Sequence, residues 1–284
     1  MRTLLKQTVF FFFFSFFMWQ QPLIAKAYVP KIYDCFMFLN EFEVLELRLE
    51  ELYPYVDKFV IVEACETHRT AKPKPFYFEL NKERYAKYAD KIIHIKLTEH
   101  IEGQDGWVRE NWQRNQIMRG LTQCHPEDLI LISDCDEFIP GKILPQVYKH
   151  VSHYGVFGFW QKLYAWYLNR ETGQLWSGTG AIKYKDLVLM SPQELRVKVR
   201  CEPNLPRWHI GWHFTWMGGY ESVKEKCFDI VEGHDNFPDY DTWRKHVIAH
   251  KPVPIDSTYP QYVQDHIEEL IKKNLIDPDP IYVP

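Results

Sequence analysis

The run Asp128-Leu129-Ile130-Leu131-Ile132-Ser133-Asp134-Cys135-Asp136-Glu137 puts four branched aliphatic residues directly ahead of an acidic cluster. Four such residues in a row leave no face for water, so the run predicts a buried strand, Asp128–Ser133. Its carboxyl end is where open α/β sheets bind their ligands. In extended chain Asp134 and Asp136 share one side, while Cys135 points the other way, into protein. Two carboxylates held together repel unless a cation joins them, and oxygen ligands suit Mg²⁺ or Mn²⁺. Such an ion can hold a nucleotide diphosphate and stabilise it as a leaving group. The plainer alternative is that these acids cap the next helix or face solvent. A D-x-D pair alone is common; its place at the end of DLILIS gives it weight.

The flanking sequence repeats the pattern. Ile32–Leu39 reads as an apolar strand. Glu43–Leu52 reads as a helix with a stripe of Val44, Leu45, Leu47, Leu49 and Leu52. Lys58–Ala64 (KFVIVEA) is another buried strand, Lys82–Tyr88 a helix, Lys91–Leu97 a third strand, Asn111–Leu121 a helix and Gly141–Val151 a further one. Strands alternating with helices imply an α/β fold with a mostly parallel sheet. After residue 151 the pattern changes: Phe157–Leu168 is long and aromatic, Ala181–Leu189 strand-like, and Gln261–Leu275 a short helix before Pro-rich coil. No Gly/Ser linker divides the chain. One domain is expected over 28–284, with a nucleotide-binding half near 30–150 and an acceptor half near 151–260.

The chain has 284 residues, 46% hydrophobic and 25% charged, an ordinary globular composition. A net charge of −4, from 34 basic and 38 acidic side chains, excludes a broad basic nucleic-acid face. Aromatic residues reach 16%, as carbohydrate-handling clefts often require. Arg2 and Lys6 precede the apolar run Thr8–Trp19, and Ala25-Lys26-Ala27 offers a small-x-small site, so residues 1–27 read as a signal peptide or signal anchor. Export or the secretory pathway follows, with membrane anchoring through the amino terminus if the segment is retained. Cys35, Cys65, Cys124, Cys135, Cys201 and Cys227 then allow up to three disulfides or six free thiols. No Asn-x-Ser/Thr acceptor occurs.

Further candidates surround the acidic cluster. Arg109 and Arg114, on the helix before it, can reach phosphate or uracil groups, or simply pair on the helix surface. Asn40, Glu41 and Glu63 follow or end strands at the level where a nucleotide would sit. His213, within Gly211-Trp212-His213-Phe214-Thr215-Trp216, is a candidate third metal ligand or a packed core residue. Trp212 and Trp216 suit sugar stacking or core packing. Gly218 and Gly219 suggest positive φ or close backbone approach. Glu221, Asp229, Glu232, His234 and Asp235 are candidate general bases, of which Glu221, after the glycine pair, is the first choice.

Tyr33-Asp34-Cys35-Phe36, Asn40-Glu41, Arg48-Leu49, Val56–Ala64, Arg109-Glu110 with Arg114-Asn115, Ser133–Glu137 and Gly211-Trp212-His213-Phe214 together resemble glycosyltransferase family 17. The resemblance spans about residues 32–250. It implies a GT-A-like fold, a UDP-sugar donor such as UDP-GlcNAc, a divalent metal (Mn²⁺ or Mg²⁺), a glycan or glycoprotein acceptor and inversion at the anomeric carbon. Asp134 and Asp136 would be the metal–diphosphate residues, Asp136 also serving the chemistry. Two departures stand out: Glu137-Phe138-Ile139-Pro140 replaces the family's usual Glu-Ile-Pro, and the chain is shorter than the animal enzyme. A non-catalytic carbohydrate-binding protein on the same scaffold is the alternative.

Overall fold

A computed structural model describes residues 28–102 and 105–279. The signal-like segment, residues 1–27, lies outside the described residues. Ten strands form one mixed sheet: β1 (Ile32–Met37), β2 (Lys58–Ala64), β3 (Ile92–Leu97), β4 (Leu129–Asp134), β5 (Glu137–Phe138), β6 (Val156–Ala165), β7 (Arg170–Trp176), β8 (Gly180–Lys183), β9 (Arg207–Thr215) and β10 (Lys251–Pro252). The helices are α1 (Phe42–Leu52), α2 (Tyr77–Leu80), α3 (Gly106–Asn115), α4 (Leu144–Tyr154), α5 (Tyr184–Leu187), α6 (Pro192–Cys201), α7 (Gly219–Asp229), α8 (Tyr240–Ile248), α9 (Gln261–Asp265) and α10 (Ile267–Lys272).

The sheet runs β10-β7-β6-β8-β4-β1-β2-β3, with β9 beside β6 and β5 beside β9. The half β3-β2-β1-β4 is parallel, as the strand–helix alternation requires. From β8 onward the pairs are antiparallel, except for β6 with β9. This change matches the break in sequence pattern after residue 151.

Helices cover both faces. Phe36, Phe59, Ile61 and Leu131 meet α1 and α4 on one face, while Cys35, Val60, Val62, Ile130 and Ile132 meet α6 on the other. Phe59–Val62 are fully buried, and each contributes about 1.5–3 kcal/mol through lost apolar exposure. The expected helix at 82–88 is a 3-10 turn over Lys82–Lys91, and the one at 111–121 is α-helical only to Asn115, then a 3-10 turn over Gln116–Gly120. Of Ala181–Leu189 only the start is strand; Tyr184–Leu187 is a helical turn. The tail packs rather than trailing: Asp277 pairs with buried Arg170 at 2.6 Å. All six cysteines are free thiols, and Cys135 points into the core as expected.

Register positions the site. Met37 pairs with Asp134 across β1 and β4, and with Val62 across β1 and β2. Three strands therefore end at one level, and the acidic cluster turns there.

Candidate active site

A cleft of about 310 Å³ opens at those strand ends. Its floor is Met37–Leu39 and Asp134–Glu137. Its walls are His68, Glu110 and Gln113 on one side and, on another, His213 and Thr215 of β9 with Trp216 just beyond it, while α7 supplies Lys226 and Asp229. The acidic turn is built from beneath by Arg48. That guanidinium donates to Asp34 (2.6 and 2.7 Å), Ser133 Oγ, and the carbonyls of Asp134, Cys135 and Glu137 (2.7, 3.2 and 2.9 Å). A backbone with three carbonyls turned inward needs such a donor, and a buried guanidinium supplies several in a fixed plane.

The chain stops being extended after Asp134, so the two aspartates part. Asp134 accepts from Arg114 at 3.0 Å and Arg196 at 2.5 Å. Asp136 faces Lys226 Nζ at 3.2 Å and His213 Nε2 at 3.5 Å. Glu137 is bound by both arms of Arg196 and by the Trp176 indole. Burial would raise both aspartyl carboxyls. For Asp134 it is outweighed by Arg196 and Arg114, and for Asp136 by Lys226 and His213, so both stay well below the usual carboxylate range. Lys226 also reaches Glu41 at 3.1 Å. Burial, which would discharge it, is outweighed by Asp136 and Glu41, and its ammonium stays charged.

The possible cation ligand set therefore differs from the expected one. Among the described residues, Asp136, Glu137 and His213 bring one ligand atom each within 4.8 Å of one another; Asp134, taken by two arginines, is not in the set. The set suits a divalent ion on three grounds. It offers the mixed oxygen and imidazole donors that Mn²⁺ accepts. Eight carboxylates line the cleft against four lysines and arginines, so an anionic ligand needs added positive charge. His213 Nδ1 is also buried without a hydrogen-bond partner, an orphan atom beside the set.

The remaining expected residues divide. Glu41 lines the cleft, while Asn40 lines a smaller neighbouring pocket with Glu41 and Lys226. Three placements correct the expectation. Glu63 is fully buried and accepts from the Tyr77 and Phe78 amides, Lys74 and His94, anchoring the chain around α2. Arg109 is buried and braces the carbonyls of His68 (2.6 Å) and Arg69 (2.9 Å). Glu221 is exposed on the first turn of α7 and does not line the cleft. Arg114 sits behind Asp134, tied to Glu110 at 2.7 Å. Trp212 is a core residue against Phe138 and Phe214, whereas Trp216 lines the cleft. Gly218 and Gly219 have the positive φ their identity suggested, and Gly211 (φ +99°) has it as well.

Arg196, Lys226, Trp176 and Arg200 are functional candidates that sequence reasoning missed. The signal for Arg196 was present: Ser191-Pro192-Gln193-Glu194 forms a capping box that starts α6. Arg200, exposed at the cleft wall, stacks over Trp176 at 4.3 Å.

Residues 16–155 match the sequence model of glycosyltransferase family 17. The match spans just under half of the chain, which is therefore similar to that family. Its curated relatives include the β-1,4-mannosyl-glycoprotein 4-β-N-acetylglucosaminyltransferases of Rattus norvegicus and Mus musculus. The rat enzyme is 24% identical over 175 residues, 58% of this chain and 31% of its own. The mouse enzyme is 23% identical over 258 residues, 77% of this chain and 46% of its own. The chain thus spans less than half the length of these curated relatives. A mannosyltransferase from Pyrobaculum calidifontis, solved with GDP-Man and Mn²⁺, aligns at 15% identity and TM-score 0.38. The alignment covers 57% of this chain and 47% of that one.

Proposed function

We propose that this chain is a glycosyltransferase of family 17, a metal-dependent inverting transferase that moves a sugar, GlcNAc in the first instance, from a UDP-sugar to a glycan hydroxyl. The observation that carries the reading is the buried Asp136–His213 pair lining a cleft at the ends of parallel strands. Asp136 and His213 would hold a divalent cation, with Glu137 beside them. When bound, that cation draws charge from the departing diphosphate.

The chain's own residues do the rest. Arg200, stacked on Trp176, offers an exposed fork to a phosphate oxygen. Arg196 fixes Asp134 and Glu137 so that the turn keeps its shape as charge builds. Trp216 supplies a face for a pyranose ring. Glu232 replaces Glu221 as general base. It is the exposed carboxylate among those lining the cleft, and it has no ion pair among the described residues. Partial desolvation and the neighbouring carboxylates of Glu110 and Asp134 raise its pKa, as base catalysis favours. It accepts the proton of an acceptor hydroxyl that attacks the anomeric carbon opposite the leaving UDP.

The basic-then-apolar pattern of residues 2–19 supports a secretory-pathway location. Among the described residues no helix is long and apolar enough to cross a membrane. UDP release measured over a panel of UDP-sugars, with and without Mn²⁺, tests class, donor and metal together. Glycan binding without UDP release from any of them would instead favour a non-catalytic carbohydrate binder.

A further inference from the structure

Every acid of the turn is paired with a cation, Arg196 serving both Asp134 and Glu137, but the cations are not alike. Arg114 and Arg196 are rigid forks with side chains 3% and 4% exposed, locked between carboxylates. Lys226 is a point charge on a flexible stem, reaching inward from α7 with its side chain 13% exposed. Its ammonium is shared between Asp136 Oδ2 (3.2 Å) and Glu41 Oε1 (3.1 Å). On the opposite side, Asp136 Oδ1 faces His213 Nε2, whose ring carries an unpartnered buried Nδ1. A cation entering beside Asp136 and His213 therefore meets a positive charge already seated on the same carboxylate.

We infer that Lys226 is a resident counter-cation, displaced from Asp136 when a divalent cation binds there and then taken up by the diphosphate that arrives with it. Glu41 gives the ammonium a second anchor, so the stem can swing without leaving its charge unpaired. A divalent cation alone works against Lys226; one that brings a nucleoside diphosphate supplies Lys226 with a new partner. Metal and nucleotide must then bind synergistically, with Lys226 as the coupling element. The second half of this inference rests on the nucleotide-sugar reading; the first half does not.

The test is titration of the full chain with Mn²⁺, alone and with UDP, followed by calorimetry and by the electron-paramagnetic signal of free Mn²⁺. Lys226→Met removes the competing charge. Lys226→Met with Glu41→Gln removes a cation and a carboxylate together, which keeps the site balanced if the single variant fails to fold. Lys226→Met against the unaltered protein, and the double variant against Glu41→Gln alone, are each expected to bind Mn²⁺ about tenfold or more tightly, the scale on which one nearby charge acts. UDP should tighten Mn²⁺ binding strongly in the unaltered protein and in Lys226→Arg, and much less in the Met variants. Met variants that bind Mn²⁺ no more tightly than the proteins that keep Lys226, each against its own parent, overturn the inference. Tighter Mn²⁺ binding in the Met variants, with no effect of UDP in any protein, upholds the displacement and overturns the nucleotide-sugar reading.

Discussion

Arg48 and Asp34 form a two-pronged ion pair at 2.6 and 2.7 Å, each side chain 1% exposed, directly beneath the acidic turn. The pair joins α1 to β1, and the same guanidinium holds three carbonyls of residues 134–137. Arg48→Leu should therefore cost about 3–5 kcal/mol, because it strands a buried carboxylate. Urea denaturation measures this. Arg48→Leu with Asp34→Leu should recover part of the loss, yet leave transfer impaired, because the turn's carbonyls still lack their donor.

Glu232 and Glu221 should separate cleanly. Glu232→Gln is expected to lower kcat by about 10²–10⁴-fold while leaving UDP binding unchanged. Glu221→Gln, outside the cleft, should stay near the unaltered rate. The base must be ionised to work, and the pKa of Glu232 is raised. Activity should fall on acidification at a pH above the ordinary glutamate value of about 4.3, and the pH profile of kcat/KM reads this limb.

Acid should also loosen the fold through the turn. Asp134 and Asp136 titrate well below their unfolded value of about 3.9. A depressed carboxylate gives stability that is complete above the unfolded pKa and is lost as pH falls through the folded one. Unfolding free energy should thus decline as pH drops below about 4, and Asp136→Asn, less stable at neutral pH, should show a shallower decline.

Gly211 sits at φ +99°, and a Cβ there would lie 2.7 Å from the Phe138 carbonyl oxygen. Gly211→Ala should cost about 1–3 kcal/mol from backbone strain. It should also reduce activity, because β9 carries His213 against the acidic turn. Differential scanning calorimetry and UDP release check the two halves.

The parallel half of the sheet was legible because β1, β2 and β4 are buried on both faces and read as unbroken apolar runs. The antiparallel half was not. Its strands mix polar and aromatic residues, and β7 alternates weakly because much of it is exposed. The acidic cluster was found, but not how its members divide. That division depends on Arg196 and Lys226, cations brought from 62 and 90 residues away by α6 and α7. Arg48 had a local signature: it lies between Leu45 and Leu52 on the buried face of α1, where a cation needs a partner. Glu63 looked like a ligand residue because it lies near a strand end, and Arg109 because a guanidinium on the helix before the acidic strand can reach phosphate. Glu63 is taken by two amides, Lys74 and His94, and Arg109 by two carbonyls, partners whose positions only the fold supplies.

The account stands on Asp136 as the carboxylate that holds the cation and, through it, the nucleotide. The most direct measurement is Mn²⁺-dependent UDP release from UDP-GlcNAc by Asp136→Ala beside the unaltered protein, with circular dichroism confirming that both are folded. The account predicts that the variant loses at least about 100-fold in rate, the several kcal/mol that metal assistance supplies. A folded Asp136→Ala protein that releases UDP at the unaltered rate, still dependent on Mn²⁺, would contradict it.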